Sequence, residues 1–163
     1  MIQQNKIDIR EAKPEDVSDI LKLIQELAVY ERLEQFVIAD EEKIRKTIFG
    51  PDSKVDILVA EVDNKLAGQI IFFKNYSTFQ AKYGVYIEDL YVRSEYRGLG
   101  VGSNLFKEVV SIAKREDCCK IEWAVLDWNK TAINFYEKIG AKEMKDWKIY
   151  QLSSSEFNSI LDL

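Results

Sequence analysis

Residues Tyr83 to Ser103 read YGVYIEDLYVRSEYRGLGVGS, and the fold turns on how that stretch is divided. Its first ten residues are aromatic or β-branched nearly throughout, as suits a central strand covered on both faces. Its last seven carry glycines at 98, 100 and 102, three of the seven in the whole chain. Behind them Val101, Leu105, Phe106, Val109, Val110 and Ala113 recur at helical intervals. The stretch therefore reads as a strand, a glycine-rich turn and the opening of a helix. Such a turn offers unpaired backbone N–H groups and the positive end of a helix dipole, and glycine lets an anion approach them. The pattern G-x-x-x-x-G-K-[ST] is absent, and G-x-G-x-x-G fails where Ser103 takes the place of its third glycine. What fits is R-x-x-G-x-G, with Arg97, Gly100 and Gly102. On these residues alone two readings stand: a phosphate cradle, or a turn that serves only tight packing of strand on helix.

Outward from this stretch, Ile7 to Arg10 forms a short strand candidate, and Pro14 opens a segment with Val17, Ile20, Leu21, Ile24, Leu27 and Ala28 at helical spacing. A second helix is expected from Asp40 to Phe49, stopped by Gly50-Pro51. Val55 to Val62 and Leu66 to Lys74 flank Asp63-Asn64-Lys65 as a hairpin. Lys120 to Leu126 reads as another strand. Asn129 then caps a helix carrying Ala132, Phe135, Tyr136 and Ile139, which Gly140 ends. Segments near Met144 and from Trp147 to Leu152 are expected to close the sheet. The order predicts a mixed α/β sheet with helices on its faces, built as one domain over residues 1–163.

Composition excludes much. The 163 residues are 47% hydrophobic, enough for one compact core, with a formal charge of −5 and no strongly basic segment. A nucleic-acid partner is not expected; an acidic surface suits small amines better. The start lacks an apolar signal core and no apolar run approaches a bilayer span, so no membrane association and a cytoplasmic location are expected. Histidine is absent, which removes His-dependent nucleophiles and His-ligated metals. Cys118 and Cys119 are adjacent, poor geometry for a mutual disulfide or a metal site. No metal is expected, and proton transfer falls to carboxylates, tyrosine, lysine, cysteine or water.

The strand IEDLYV, the turn RGLGVG and, one βα unit later, WNKTAINFYEKIGA together resemble the Gcn5-related N-acetyltransferase (GNAT) superfamily. Within it, ELAVYERLEQ, IEDLYVRSEYRGLGVGSNLF and WNKTAINFYEKIGA resemble the spermidine/spermine and thialysine N-acetyltransferases, in the same order along the chain. The resemblance implies a mostly antiparallel sheet whose splayed parallel pair of strands holds acetyl-coenzyme A. The turn Arg97, Gly98, Leu99, Gly100, Val101, Gly102, Ser103 would wrap the pyrophosphate, and the backbone of Leu90, Tyr91 and Val92 would pair with the pantetheine arm. It further implies a small amine acceptor, direct attack in a ternary complex, and a homodimer.

Acetyl transfer to an amine needs a neutral nitrogen, a stabilised oxyanion and a proton for the departing thiolate. An aliphatic amine of pKa about 10.4 is mostly ammonium at neutral pH, so a base is required. Glu88 is the candidate, matching by resemblance a glutamate that acts through an ordered water; the other reading of Glu88-Asp89 is a pair of surface charges at a strand end. Strand alternation would send the two to opposite faces. Tyr136 is the candidate acid, by resemblance beside the coenzyme A sulfur, against a reading in which it only packs with Ala132 and Ile139. Oxyanion stabilisation is assigned to backbone N–H near Tyr91 or Val92. Asn129 matches a position that steadies the cofactor arm and equally suits a helix cap. Glu26, Glu31, Glu34 and Asp127 are either amine ligands or a solvated face; the resemblance favours Glu31 with Tyr30 beside it, and Asp89, Asp127 and Trp128 are further candidates for substrate contact.

The chain departs from its relatives in reading Trp128-Asn129-Lys130-Thr131 where the polyamine enzymes have Trp-Asn-Glu-Pro, and a lysine there could repel a polycation. A diamine, thialysine or another small amine stays open. Two rival classes remain: an acetyltransferase of peptide or protein amines, which needs an open groove where Tyr76 to Lys82 could instead close a pocket, and an acyl-coenzyme A sensor without turnover.

Overall fold

The computed structural model describes residues 6–162. Two compact units divide the chain, Met1–Ala124 and Val125–Leu163. The first holds a five-stranded sheet in the order β1-β2-β3-β4-β5, made of β1 (Ile7–Glu11), β2 (Val55–Val62), β3 (Lys65–Ser77), β4 (Lys82–Val92) and β5 (Ile121–Trp123). Each neighbouring pair is antiparallel except β4 and β5, which are parallel. The helices are α1 (Val17–Glu31), α2 (Glu41–Ile48) and α3 (Val101–Arg115).

Local chemistry sets these boundaries. Pro14 opens a single 3-10 turn that leads into α1, because a proline ring suits the first turn, where no N–H is needed. α1 stops at Arg32, whose φ of 61° is left-handed; the Leu33 N–H then reaches back to the Ala28 carbonyl at 2.8 Å, closing the helix end as a glycine would. Asp40 caps α2 by accepting from the Lys43 N–H. Asp63 and Asn64 both have positive φ, so the hairpin turn is two residues and Lys65 belongs to β3.

The sheet buries both faces. Ile20 of α1 packs with Ile57, Val59 and Ile71, and Leu23 and Leu27 pack on Tyr91 with Tyr30 beside them. On the other face Phe106 of α3 meets Trp123 edge-on at 5.4 Å. Gln69 is the exception within this apolar interior: it is 0% exposed, and burying an amide without partners costs about 1–3 kcal/mol in proteins.

Two expectations change. Tyr76 and Ser77 continue β3 and Lys82 begins β4, so the segment that might have closed a pocket shrinks to a four-residue turn, 78–81, flanked by the edge-on pair Tyr76–Tyr83. The second unit holds α4 (Lys130–Lys138) and α5 (Phe157–Leu161), and no strand among its described residues. Met144 and Trp147 to Leu152 therefore do not extend the sheet. A strand needs a ladder, and Trp147, Ile149 and Tyr150 are 73%, 82% and 88% exposed, with none to join.

Candidate functional site

The pairing of β3 with β4 slips once: Ile71 faces Asp89, and the next residue, Phe72, faces Ile87. Glu88 is the extra residue of a β-bulge. A bulge breaks the simple alternation of side chains, so alternation alone no longer sets the faces of Glu88 and Asp89. Asp89 shares the α1 face with Ile71, and Glu88 stays exposed at the step. Burial pushes the Asp89 carboxyl up to about 6, helped by the negative charges of Glu88 and Glu31. Burial also raises Glu31. Three carboxylates from the end of α1 and the middle of β4 therefore act on one another.

On its other edge β4 loses its partner at the same place. The last parallel pair is Ile87 with Trp123, so beyond Ile87 the strand from Glu88 to Val92 pairs, among the described residues, with β3 alone. Leu90, Tyr91 and Val92 keep an edge free of β5, as the splayed pair required.

The glycine turn follows. Arg97 donates from Nε to the Val92 carbonyl at 2.9 Å, and its guanidinium lies over the rings of Tyr30 at 4.7 Å and Tyr91 at 5.6 Å. Gly100 precedes the first turn of α3 with φ 89°, a backbone state that a side chain would strain. Gly102 is different. Its φ is ordinary, and a methyl group added there would meet only Val92 Cγ2 at 3.5 Å, normal contact. Nothing among the described residues demands glycine at 102, whereas a ligand lying against the helix N-terminus would. The first N–H groups of α3, at Val101, Gly102 and Ser103, have no acceptor within the helix, and beside Gly98 and Gly100 a side chain would find open space. This surface fits a diphosphate.

Tyr30, Glu31, Asp89, Tyr91 and Arg97 are thus one neighbourhood, with Glu88 at its rim. Glu26 belongs to the scaffold: both its carboxylate oxygens take the Arg93 Nε at 3.0 Å, while Arg93 also donates to the Leu66 carbonyl. Its charge is spent on fastening α1 to the exit of β4. Glu34 is exposed in a 3-10 turn.

The second unit carries the remaining candidates. Asn129 Oδ1 accepts from the Ala132 N–H at 3.2 Å, so the capping role is real. Tyr136 lies on α4, half-buried, its ring 5.4 Å from that of Phe135. Asp127 and Trp128 are exposed in a turn; β5 ends at Trp123, short of the expected Leu126, so Asp127 is not at a strand end. The Lys130 ammonium bends back to the Asp127 carbonyl at 2.8 Å.

The sequence reading missed Gln69. A glutamine inside the apolar run of KLAGQIIFF was the available signal.

A family model described as Acetyltransferase (GNAT) family matches residues 17–141. Thialysine N-epsilon-acetyltransferase of Bos taurus is 39% identical over 146 residues, spanning 85% of this chain and 85% of its own. L-ornithine N5-acetyltransferase of Arabidopsis thaliana is 33% identical, spanning 93% of this chain and 86% of its own. Among solved structures, an integron cassette protein from the mobile metagenome of V. cholerae matches with a TM-score of 0.81 at 24% identity, covering 96% of this chain and 98% of that one. That likeness concerns the fold alone.

Proposed function

The chain belongs to the GNAT acetyltransferase family, and from that premise we propose that it transfers acetyl from acetyl-coenzyme A to a primary amine of a small polyamine, diamine or thialysine-like molecule, by direct attack with both substrates bound. The observation that carries this reading is the coincidence, on β4, of three features: pairing with β5 ends at Ile87, carboxylates follow at 88 and 89, and the strand runs on into the turn that opens α3. Donor recognition and proton removal fall on one strand.

The α3 N-terminus and Arg97 hold the diphosphate, and the edge of Leu90 to Val92 aligns the arm that carries the thioester. Glu88, exposed at the bulge, takes the proton of the ammonium through water. Asp89, half ionised near pH 6, is an acceptor poised close to the working pH, which general-base catalysis favours. The amine lone pair then forms the N–C bond, backbone N–H near Tyr91 or Val92 receives the oxyanion charge, and the C–S bond breaks. Tyr136 gives its phenolic proton to the departing thiolate and recovers one from the nitrogen, which sheds its extra proton as the amide forms, a role supported by its place in NFYEKIGA. Glu31 and Tyr30 meet the amine substrate.

The relatives named for N-epsilon of thialysine and N5 of L-ornithine support an acceptor with a side-chain amine. A panel of ornithine, thialysine, putrescine, spermidine and lysine peptides, assayed with acetyl-coenzyme A, tests this. Turnover of small amines with intersecting initial-rate lines is expected. Parallel lines would replace direct attack by an acetyl-enzyme, and preference for peptides would replace the small-amine reading.

A further inference from the structure

Gln69 is wholly buried, and neither its Oε1 nor its Nε2 has a hydrogen-bond partner among the described residues. It lies on β3 between Val59 of β2 and Tyr91 of β4, on the face covered by α1. Its apolar surroundings are two separate clusters, one built on Ile20, Val59 and Ile71, the other on Leu23, Leu27 and Tyr91. A leucine there would join them. The chain instead places an amide with two unanswered polar atoms at the seam.

Register shows what that amide is near. Gln69 faces Tyr91 and Ile71 faces Asp89, so Gln69 and Asp89 are diagonal neighbours on one face, roughly 7–8 Å apart between strands in ordinary sheet geometry. Long side chains can reach across such a diagonal, yet neither polar atom of Gln69 meets a partner, which leaves the gap to one bridging water. The bulge at Glu88 loosens the ladder beside them, which frees backbone polar groups to serve as the further partners an internal water needs.

We propose that Gln69 is a positioning residue whose amide holds an internal water against the Asp89 carboxyl, fixing where the proton rests behind the Glu88–Asp89 step. The charged groups acting on Asp89 are Glu88 on its own strand and Glu31 from the end of α1; Tyr30 and Tyr91, both stacked by Arg97, lie nearby, and Tyr91 in turn feels the charges of Glu26, Arg93 and Glu95. β3 contributes only the uncharged Ile71 and Gln69. The water accepts from Nε2 or donates to Oε1, and gives its other proton to the carboxylate. The use of this relay in catalysis rests on the acetyl-transfer reading, whereas its existence does not.

The test is the titration of Asp89 followed by carboxyl-carbon NMR, with the resonance assigned by its loss in Asp89→Asn. Gln69→Leu, which suits the apolar seam, is expected to fold and to raise the Asp89 midpoint by about one pH unit, because a donor to the charged form is lost. Gln69→Met serves if the leucine variant does not fold. A midpoint equal to that of the parent overturns the proposal. In the parent protein, an atomic-resolution crystal structure is expected to show a water within hydrogen-bond distance of both side chains, and clear density without one overturns it too. Neither readout needs turnover, so a failure here and a failure of the acetyl-transfer reading are told apart.

Discussion

The guanidinium of Arg97 lies 4.7 Å from the ring centroid of Tyr30, so the turn that opens α3 and the end of α1 share one stacked contact. Under the proposed function that contact ties the donor side of the site to the acceptor side. Arg97→Ala is expected to weaken coenzyme A binding about tenfold, since a charge-assisted phosphate contact and a cation–π contact are both lost. Arg97→Lys should recover part of that, because it keeps the charge and loses the plane. Calorimetric titration with coenzyme A measures both, and unchanged affinity in the alanine variant would remove Arg97 from the donor site.

Gly100 and Gly102 should separate backbone need from ligand need. Gly100→Ala is expected to destabilise the protein by about 1 kcal/mol, because its φ is left-handed. Gly102→Ala should leave the melting temperature unchanged or higher, as alanine favours helix by up to about 1 kcal/mol, while acetyl-coenzyme A affinity falls about tenfold or more. Thermal scans with and without coenzyme A check the contrast. A Gly102→Ala protein that binds normally would make the turn structural.

Asp89 gives a pH signature. Its folded carboxyl stands at about 6 against an ordinary 3.8, so the folded state holds the proton more tightly than the unfolded one. Stability therefore falls as pH rises from about 4 to about 6 and stays lower above. Asp89→Asn should remove a cost of up to about 3 kcal/mol at pH 7–8, with the gain vanishing below about pH 4. Denaturant titrations across that range decide it; a gain independent of pH would mean that folding leaves the Asp89 pKa unshifted. In the same variant the acid limb of the rate profile is expected to move, and in Glu88→Gln the rate itself should fall with its pH dependence altered. Identical profiles for Glu88→Gln and the parent would exclude Glu88 as base.

Tyr136→Phe keeps the ring and loses the hydroxyl. Turnover is expected to drop about 10²-fold with coenzyme A affinity little changed. Equal losses in the two would assign Tyr136 to packing.

The strand, turn and helix from Tyr83 to Arg115 were legible because periodicity and glycine placement are local signals. The bulge at Glu88 was not: it arises from register with β3, which a single strand's pattern does not encode. For the same reason the sequence could suggest a carboxylate pair but not that Asp89 is the one burial perturbs. Trp147 to Leu152 has a strand-like composition, and strand formation there depended on a neighbour that the pattern cannot supply. Glu26 read as a ligand candidate because its partner, Arg93, is 67 residues away.

β5 is three residues long, and its last partner on β4 is Ile87. An extended thioester arm laid along the remainder would act as a temporary sixth strand, completing hydrogen bonding that β5 leaves open. The same vacancy is an invitation to any foreign chain in extended form. Shelf life of the purified enzyme and saturation by its acyl donor should rise and fall together.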